Sequence, residues 1–271
     1  MLLLCLGYGY TARHLAGLVA GHGMPTLGTS RDGREGTLLY AGGEPDETLR
    51  AALAKATHIL ISAPPHAGEA ALAAAIAAHA PHARWIAYLS TTGVYGDQGG
   101  KTVDENTPVH PMDAQSQARV QSEELWRGCG AQVFRLAGIY GAGRSVFNAI
   151  AEGRGQVIVK RGHRFNRIHV ADIARALWAS MQVPTPGATY NLADDAPAAQ
   201  ADVMGYAYGL LGIAAPEAVA VADAQLSPMA QRFWAASRQV SASKIKRYHG
   251  LNWKYPTYRE GLAAILQERT Q

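Results

Sequence analysis

The stretch Leu2-Leu3-Leu4-Cys5-Leu6-Gly7-Tyr8-Gly9-Tyr10-Thr11-Ala12 decides the fold. It opens as an apolar run too short to cross a bilayer but suited to a strand buried on both faces. Two glycines break the run. Beyond them Ala12, Leu15, Ala16, Leu18 and Val19 recur with the spacing of one helix face. Strand, glycine turn and helix form the context of a dinucleotide-binding fingerprint, G-x-G-x-x-A. Gly7 makes the tight turn. Gly9, without a side chain, lets a pyrophosphate approach the backbone, and Ala12 stands at the third small position. The phosphates then meet the unpaired N–H groups and the positive dipole end of the helix. Gly7, Tyr8, Gly9, Tyr10, Thr11 and Ala12 are therefore the expected pyrophosphate residues.

The second strand, Met24 to Gly28, runs into Thr29-Ser30-Arg31. An acidic residue about 20 positions past the glycines would hold the ribose 2′-hydroxyl of NAD. Two hydroxyls and an arginine stand there instead, and a 2′-phosphate wants short donors and a planar cation. Ser30 and Arg31 are thus expected to select NADP over NAD. A short strand is expected at Thr37–Tyr40 and a helix at Asp46–Ala56. His58–Ala63 reads as a buried strand closed by Pro64-Pro65, a loop at the sheet's ligand-binding edge, so Ala63 and Pro64 are placed along the crevice.

Ala70–Ala80 reads as helix and Trp85–Leu89 as strand, running into the hydroxyl-rich Ser90-Thr91-Thr92-Gly93-Val94-Tyr95-Gly96. Those hydroxyls either polarise a substrate oxygen or cap the strand end. Asp97–Pro111 reads as loop, Asp113–Arg127 as helix and Gln132–Leu136 as strand. Alternation of this kind predicts an α/β fold with a doubly wound parallel sheet. Further on come a short strand at Val157–Val159, a helix reaching Met181, a strand at Ala188–Leu192, a helix at Gln200–Leu211 and a last helix marked by Tyr258, Leu262, Ile265 and Leu266. No element is assigned between the Gln200–Leu211 helix and a turn at Leu251–Pro256.

The chain has 271 residues, 48% hydrophobic, with a net charge of +4. That length supports one large domain or a domain with a lobe, without staples. The positive charge is mild and spread out, so nucleic acid is not implied as a partner. Cys5 and Cys129, the two cysteines, read as free thiols of a reducing compartment. No apolar stretch reaches a membrane-spanning length, and Met1 leads within a few residues into the glycine turn rather than a signal peptide. These features predict a soluble, cytoplasmic protein with no membrane partner. The ten histidines form no tight ligand set, so no metal is expected. A Gly-x-Ser-x-Gly elbow and a phosphate-binding Walker loop are both missing.

Taken together, Gly7–Ala12, Leu60–Pro65, Ser90–Gly96, Arg135–Arg144, Arg167–Ala174 and Tyr190–Asp195 resemble, in order and over nearly the whole chain, the extended short-chain dehydrogenase/reductases, in particular the NAD-dependent epimerase/dehydratase group. The resemblance implies a Rossmann-type core over residues 1–195, with 145–165 contributing to a small C-terminal substrate lobe at 196–271. It implies an NAD(P)-dependent oxidoreductase or epimerase acting on a small molecule, often a nucleotide sugar, and a homodimer. Thr91 matches the family's catalytic Ser/Thr, and Ser90 lies beside it at the cofactor. Glu123 matches a glutamate four residues past the family's catalytic lysine. Counting back places Arg119 at that lysine and Gln115 at the tyrosine of its Tyr-x-x-x-Lys pair.

The departure is chemical. An amide cannot act as general acid, and Arg119, always protonated, can bind ribose hydroxyls but cannot titrate. Three accounts stay open: an enzyme whose proton comes from Tyr95, Tyr140 or water; an inactive NADP(H)-binding sensor; and a plain α/β module. Arg144, Arg164 and the basic cluster around Arg164 are candidates for an anionic substrate, and Tyr95 and Tyr140 for its pocket. His169 and Asp172 read as structural at a helix start, Asp194-Asp195 as a helix-entry loop, and Trp178, Trp234 and Trp253 as packing residues. Trp234 and Phe233 are also placed at the substrate pocket.

Overall fold

A computed structural model describes residues 1–270. The first strand, β1 (Leu3–Leu6), is entirely buried and leads through the glycine turn into α1 (Tyr10–Ala20). There follow β2 (Thr26–Ser30), β3 (Leu38–Leu39), α2 (Glu47–Lys55), β4 (His58–Ile61), α3 (Glu69–His79), β5 (Trp85–Thr91), β6 (Thr102–Val103), α4 (Ala114–Gly128) and β7 (Gln132–Leu136). The second half continues with β8 (Gly138–Tyr140), α5 (Val146–Ala151), β9 (Ile158–Val159), β10 (Arg167–His169), α6 (Val170–Gln182), β11 (Thr189–Leu192) and α7 (Gln200–Leu211). It closes with β12 (Val219–Ala220), α8 (Pro228–Ala235), β13 (Gln239–Val240), α9 (Ser243–His249) and α10 (Tyr258–Thr270).

Seven strands form one sheet in the order β11-β7-β5-β4-β1-β2-β3, every pair parallel. The chain winds outward from β1 to β3, then returns to the far side of β1 at β4. This reversal is the topological switch point, where the carboxyl ends of the strands open a crevice. The strands are apolar on both sides because both sides are covered. Leu3 and Cys5 pack with Leu15, Ile173 and Leu177 from α1 and α6. Leu4 and Leu6 face the opposite layer with Leu49, Leu72 and Trp126 from α2, α3 and α4. The predicted doubly wound α/β fold is thus the one observed.

Helix starts follow their caps. Asp46 accepts from Leu49 N at 2.8 Å, and Asp113 with Ser116 forms a reciprocal capping box on α4. The smaller elements were not read from the sequence: β6 inside the expected loop 97–111, β8 within Ala137–Arg144, α5, and everything from β12 to α9. The four strands among them, β6, β8, β12 and β13, are completed by remote partners. β6 pairs with β13, β8 with β10 and β9 with β12. A second core of Phe147, Val203, Tyr258, Leu262 and Ile265 joins α5, α7 and α10 beside the sheet.

Candidate functional site

A crevice of about 620 Å³ opens over the switch point. Its floor is Leu6, Gly7, Tyr8, Gly9, Ile61, Ser62, Ala63 and Pro64; Ser30, Arg31, Arg34 and Thr37 stand at the β2 side. Gly7 has φ +95, and a Cβ there would lie 2.7 Å from Ala63 N. Only glycine lets β1 turn this close to the strand beside it. The turn is pinned by Gly7 N–H donating to Thr29 Oγ1 (2.9 Å) and Tyr8 N–H to Thr29 O (2.8 Å). Gly9, in contrast, has open space where its Cβ would be.

Helix α1 has neither a side-chain cap nor an acid in its first turn. The hydrogen bond Arg13 N–H to Gly9 O (3.0 Å) is its first. The amides of Tyr10, Thr11 and Ala12 are therefore left without helical partners. Ala12 is wholly buried and Thr11 nearly so, which seats the helix start against the sheet. The expected fingerprint residues thus come together in one place.

At the end of β2 the structure adds a residue that sequence reasoning missed. Asp32 Oδ1 accepts from Ser30 Oγ (3.0 Å) and from Arg34 Nε (2.9 Å). Ser30 Oγ also lies 2.6 Å from Thr37 Oγ1, itself 2.6 Å from Arg34 O, so two hydroxyl protons are shared over three contacts. Ser30 is thus a member of an internal network rather than a free donor. The Arg34 guanidinium beside Asp32 holds its carboxyl below the usual carboxylate range. Arg31 is exposed, lines the crevice and pairs with no carboxylate among the described residues. The signal for Asp32 was in the sequence, two positions past Ser30, but nothing there showed that its side chain turns back.

The residues expected at the reacting end are arranged differently. Ser90 is buried and donates to Glu123 Oε1 at 2.6 Å, so its hydroxyl is spent inside the molecule. Glu123 is 2% exposed and takes Arg135 on both oxygens, at 3.0 and 2.7 Å. It locks α4 to β7. Thr91 Oγ1 accepts from Gly93 N–H (3.0 Å) and keeps its own proton to donate. Arg119 donates from one nitrogen to Tyr88 Oη and to Leu89 O, both at 2.9 Å, tying α4 to β5. Gln115 is exposed one helical turn earlier.

Neither tyrosine named as a proton source stands free. Tyr95 is fully buried, donates to Asn191 Oδ1 (2.9 Å) and carries the Arg135 guanidinium 4.9 Å from its ring centre. Tyr140 is buried and donates to Thr257 O (3.3 Å). Burial pushes both hydroxyls above the ordinary tyrosine range. Neither residue lines the crevice over the switch point. Both owe their place to remote partners, Asn191 and Thr257, that the local sequence could not show.

The basic candidates disperse. Arg164 donates to Pro197 O (3.1 Å) and Lys160 to Trp234 O (2.6 Å), while Arg154 pairs with Glu152. Arg144 lies 5.7 Å over the Tyr10 ring, and Tyr10 Oη donates to Ala142 O (2.9 Å). These contacts bring the 142–144 loop against the start of α1. Trp234 is buried among Phe165 and His163, while Phe233 is exposed. Trp253 is buried, and Trp178 stacks on His22 at 4.5 Å. His169 is structural as expected, capping α6 by accepting from Ala171 N–H. Asp172 accepts from the amides of Lys254 and Tyr255 rather than from its own helix start. Asp194 is 4% exposed, and burial raises its pKa to about 7. Cys5 and Cys129 are free. No helix among the described residues is long and apolar enough to cross a membrane.

The model of the NAD dependent epimerase/dehydratase family matches residues 65–193. A conserved protein of unknown function from Silicibacter pomeroyi is 44% identical, with 98% of each chain covered and a TM-score of 0.90. Protein YeeZ of Escherichia coli K12 is 30% identical over 135 residues, 49% of this chain; the match spans about half of that relative's length (48%). A human epimerase family protein, SDR39U1, whose structure was determined with NADPH, shares the fold at 16% identity, 98% and 99% coverage and a TM-score of 0.80.

Proposed function

We propose that this chain binds a nicotinamide dinucleotide in the crevice at the switch point and prefers NADP(H) to NAD(H). One observation carries the reading: the glycine turn Gly7–Gly9, which ends at the uncapped start of α1, and Arg31, which pairs with no carboxylate among the described residues, border the same 620 Å³ crevice. The amides of Tyr10, Thr11 and Ala12 take the diphosphate beside Gly7 and Gly9. Ala63 and Pro64 border the ribose, and Arg31 takes the 2′-phosphate. Proteins of like fold were determined with NADPH or with NAD, which supports a nicotinamide dinucleotide here. We propose the Rossmann unit at residues 1–195, with 145–165 and 196–271 forming the substrate lobe.

A nicotinamide bound there would give or take a hydride. The chain's own part is positioning: Thr91, with its proton free, directs a substrate oxygen, and Arg119 holds the end of β5 in place. The substrate is a small, anionic molecule, and Arg144, held over the Tyr10 ring at the start of α1, is the candidate to meet it. A second reading is a sensor that binds NADP(H) without turnover. It is favoured by Gln115 at the place of the family's phenol and by the commitment of both Tyr95 and Tyr140 to internal bonds.

The test is a calorimetric titration with NADPH and NADH, followed by a screen of carbonyl substrates. The expected result is tighter NADPH binding that weakens at least tenfold in Arg31→Asp. Binding of neither nucleotide rejects the proposal. Binding without turnover of any carbonyl selects the sensor.

A further inference from the structure

The hairpin that carries Arg144 is built onto the first residue of α1. Gly141 and Arg144 exchange both backbone hydrogen bonds at 3.0 Å, and Gly143 turns the chain between them at φ +73. Tyr10 fastens this hairpin from the side. Its Oη donates to Ala142 O at 2.9 Å, and the Arg144 guanidinium lies 5.7 Å from the centre of its ring. The approach is close: a Cβ at Gly141 would meet Tyr10 Oη at 2.5 Å and Val170 Cγ1 at 2.7 Å, so only glycine admits the phenol there. Burial lifts the Tyr10 hydroxyl above the ordinary tyrosine range, with Arg144 drawing it down and Glu268 adding to the rise, so the phenol keeps its proton to donate. Arg144 itself is exposed and forms no ion pair among the described residues. We infer that the Tyr10 side chain is a positioning residue for Arg144: its hydroxyl holds the hairpin, its ring holds the guanidinium, and together they set how strongly the substrate's anionic group is bound.

The inference rests on the reading of Arg144 as the arginine that meets the substrate and of the crevice as a dinucleotide site. Its physical basis is the cost of ordering. An exposed arginine on a tight turn samples many rotamers, and an anion that binds it must pay to fix one. Here the turn is fixed through Ala142 O, and the guanidinium is drawn to the face of a ring. Part of the ordering is therefore complete before the anion arrives. Tyr10 divides its labour: its backbone amide belongs to the helix start, while its side chain reaches the hairpin and lies outside the lining of the crevice. Substitution of the side chain leaves the amide in place. Phenylalanine keeps the ring and loses the hydroxyl; leucine loses both.

The test titrates inorganic phosphate, as the anionic probe, into the full chain saturated with NADPH. It compares wild type, Arg144→Ala, Tyr10→Phe and Tyr10→Leu, with a melting curve to check folding. Arg144→Ala and Tyr10→Leu should each weaken phosphate about tenfold, and Tyr10→Phe about threefold. In both Tyr10 variants NADPH affinity should fall less than phosphate affinity. Hydrogen exchange at the amides of Gly141 and Arg144 should quicken in Tyr10→Phe, a reading that needs no anion. Phosphate affinity or hairpin exchange left unchanged in Tyr10→Phe and Tyr10→Leu overturns the inference. NADPH weakened as much as phosphate overturns it too, because the phenol would then belong to the dinucleotide cradle. Phosphate that does not bind wild type, or binds Arg144→Ala equally well, rejects the reading of Arg144 and the inference with it. A wild type that binds no NADPH rejects the crevice reading itself.

Discussion

At the scale of single residues, two side chains show how position decides chemistry. Asp194 is a buried carboxyl, its pKa raised by that burial from 3.8 to about 7, with Arg167 the opposing charge. The folded state therefore holds its proton more tightly than the unfolded chain does. The sign follows: the group costs nothing below about pH 4, and its cost grows as pH rises toward 7 and beyond. Asp194→Asn should match wild type at pH 4 and exceed it at pH 8 by up to roughly 4 kcal/mol, read from denaturant midpoints. Gly7 is the opposite case, a residue defined by what it lacks. Gly7→Ala places a methyl 2.7 Å from Ala63 N at φ +95. It should cost about 1–3 kcal/mol and weaken dinucleotide binding at least tenfold, by melting and titration. The need for Gly7 was legible in the sequence. The state of Asp194 was not, because a pKa belongs to the surroundings.

At the scale of elements, α4 is held by charges that face inward. Glu123 binds Ser90 and Arg135, and Glu69 of α3 takes Ser122 and Trp126 from the same helix. Glu123→Ala leaves Arg135, itself 6% exposed, without its counter-ion. The expected loss is on the order of 3–5 kcal/mol, seen as a lowered denaturant midpoint. In α6, Asp172 is fully buried and receives the amides of Lys254 and Tyr255. Asp172→Ala should release the turn before α10, which hydrogen exchange would report as lost protection at residues 254 and 255. The helices and long strands were readable because each carries its own period and cap, as Asp46 and Asp113 do. The two-residue strands β6 and β13 carry no such signal, for each exists only through the other.

At the scale of the whole molecule, the site belongs to the switch in strand order rather than to any one segment. Glycine turn, β2 end and β4 end meet because β4 returns beside β1. A ligand held by all three should stabilise the fold as a unit. NADPH at about 100 times its dissociation constant should add roughly 2.7 kcal/mol, a melting shift of about 5–10 °C for a chain this size. A shift confined to NADPH and absent in Arg31→Asp would locate it at the β2 end.

Local order determined a great deal here. The apolar run into Gly7-Tyr8-Gly9, the helical spacing after it and the alternation that follows specified a parallel α/β sheet, since backbone geometry and hydrophobic period are properties of neighbouring residues. The partners of polar side chains were another matter. Ser30 with Asp32, Ser90 with Glu123, Tyr95 with Asn191 and Tyr140 with Thr257 were decided by the tertiary structure alone. A hydroxyl or carboxylate reads the same in any sequence; whether it faces a ligand or satisfies a buried neighbour depends on the chain that folding brings within about 3 Å of it.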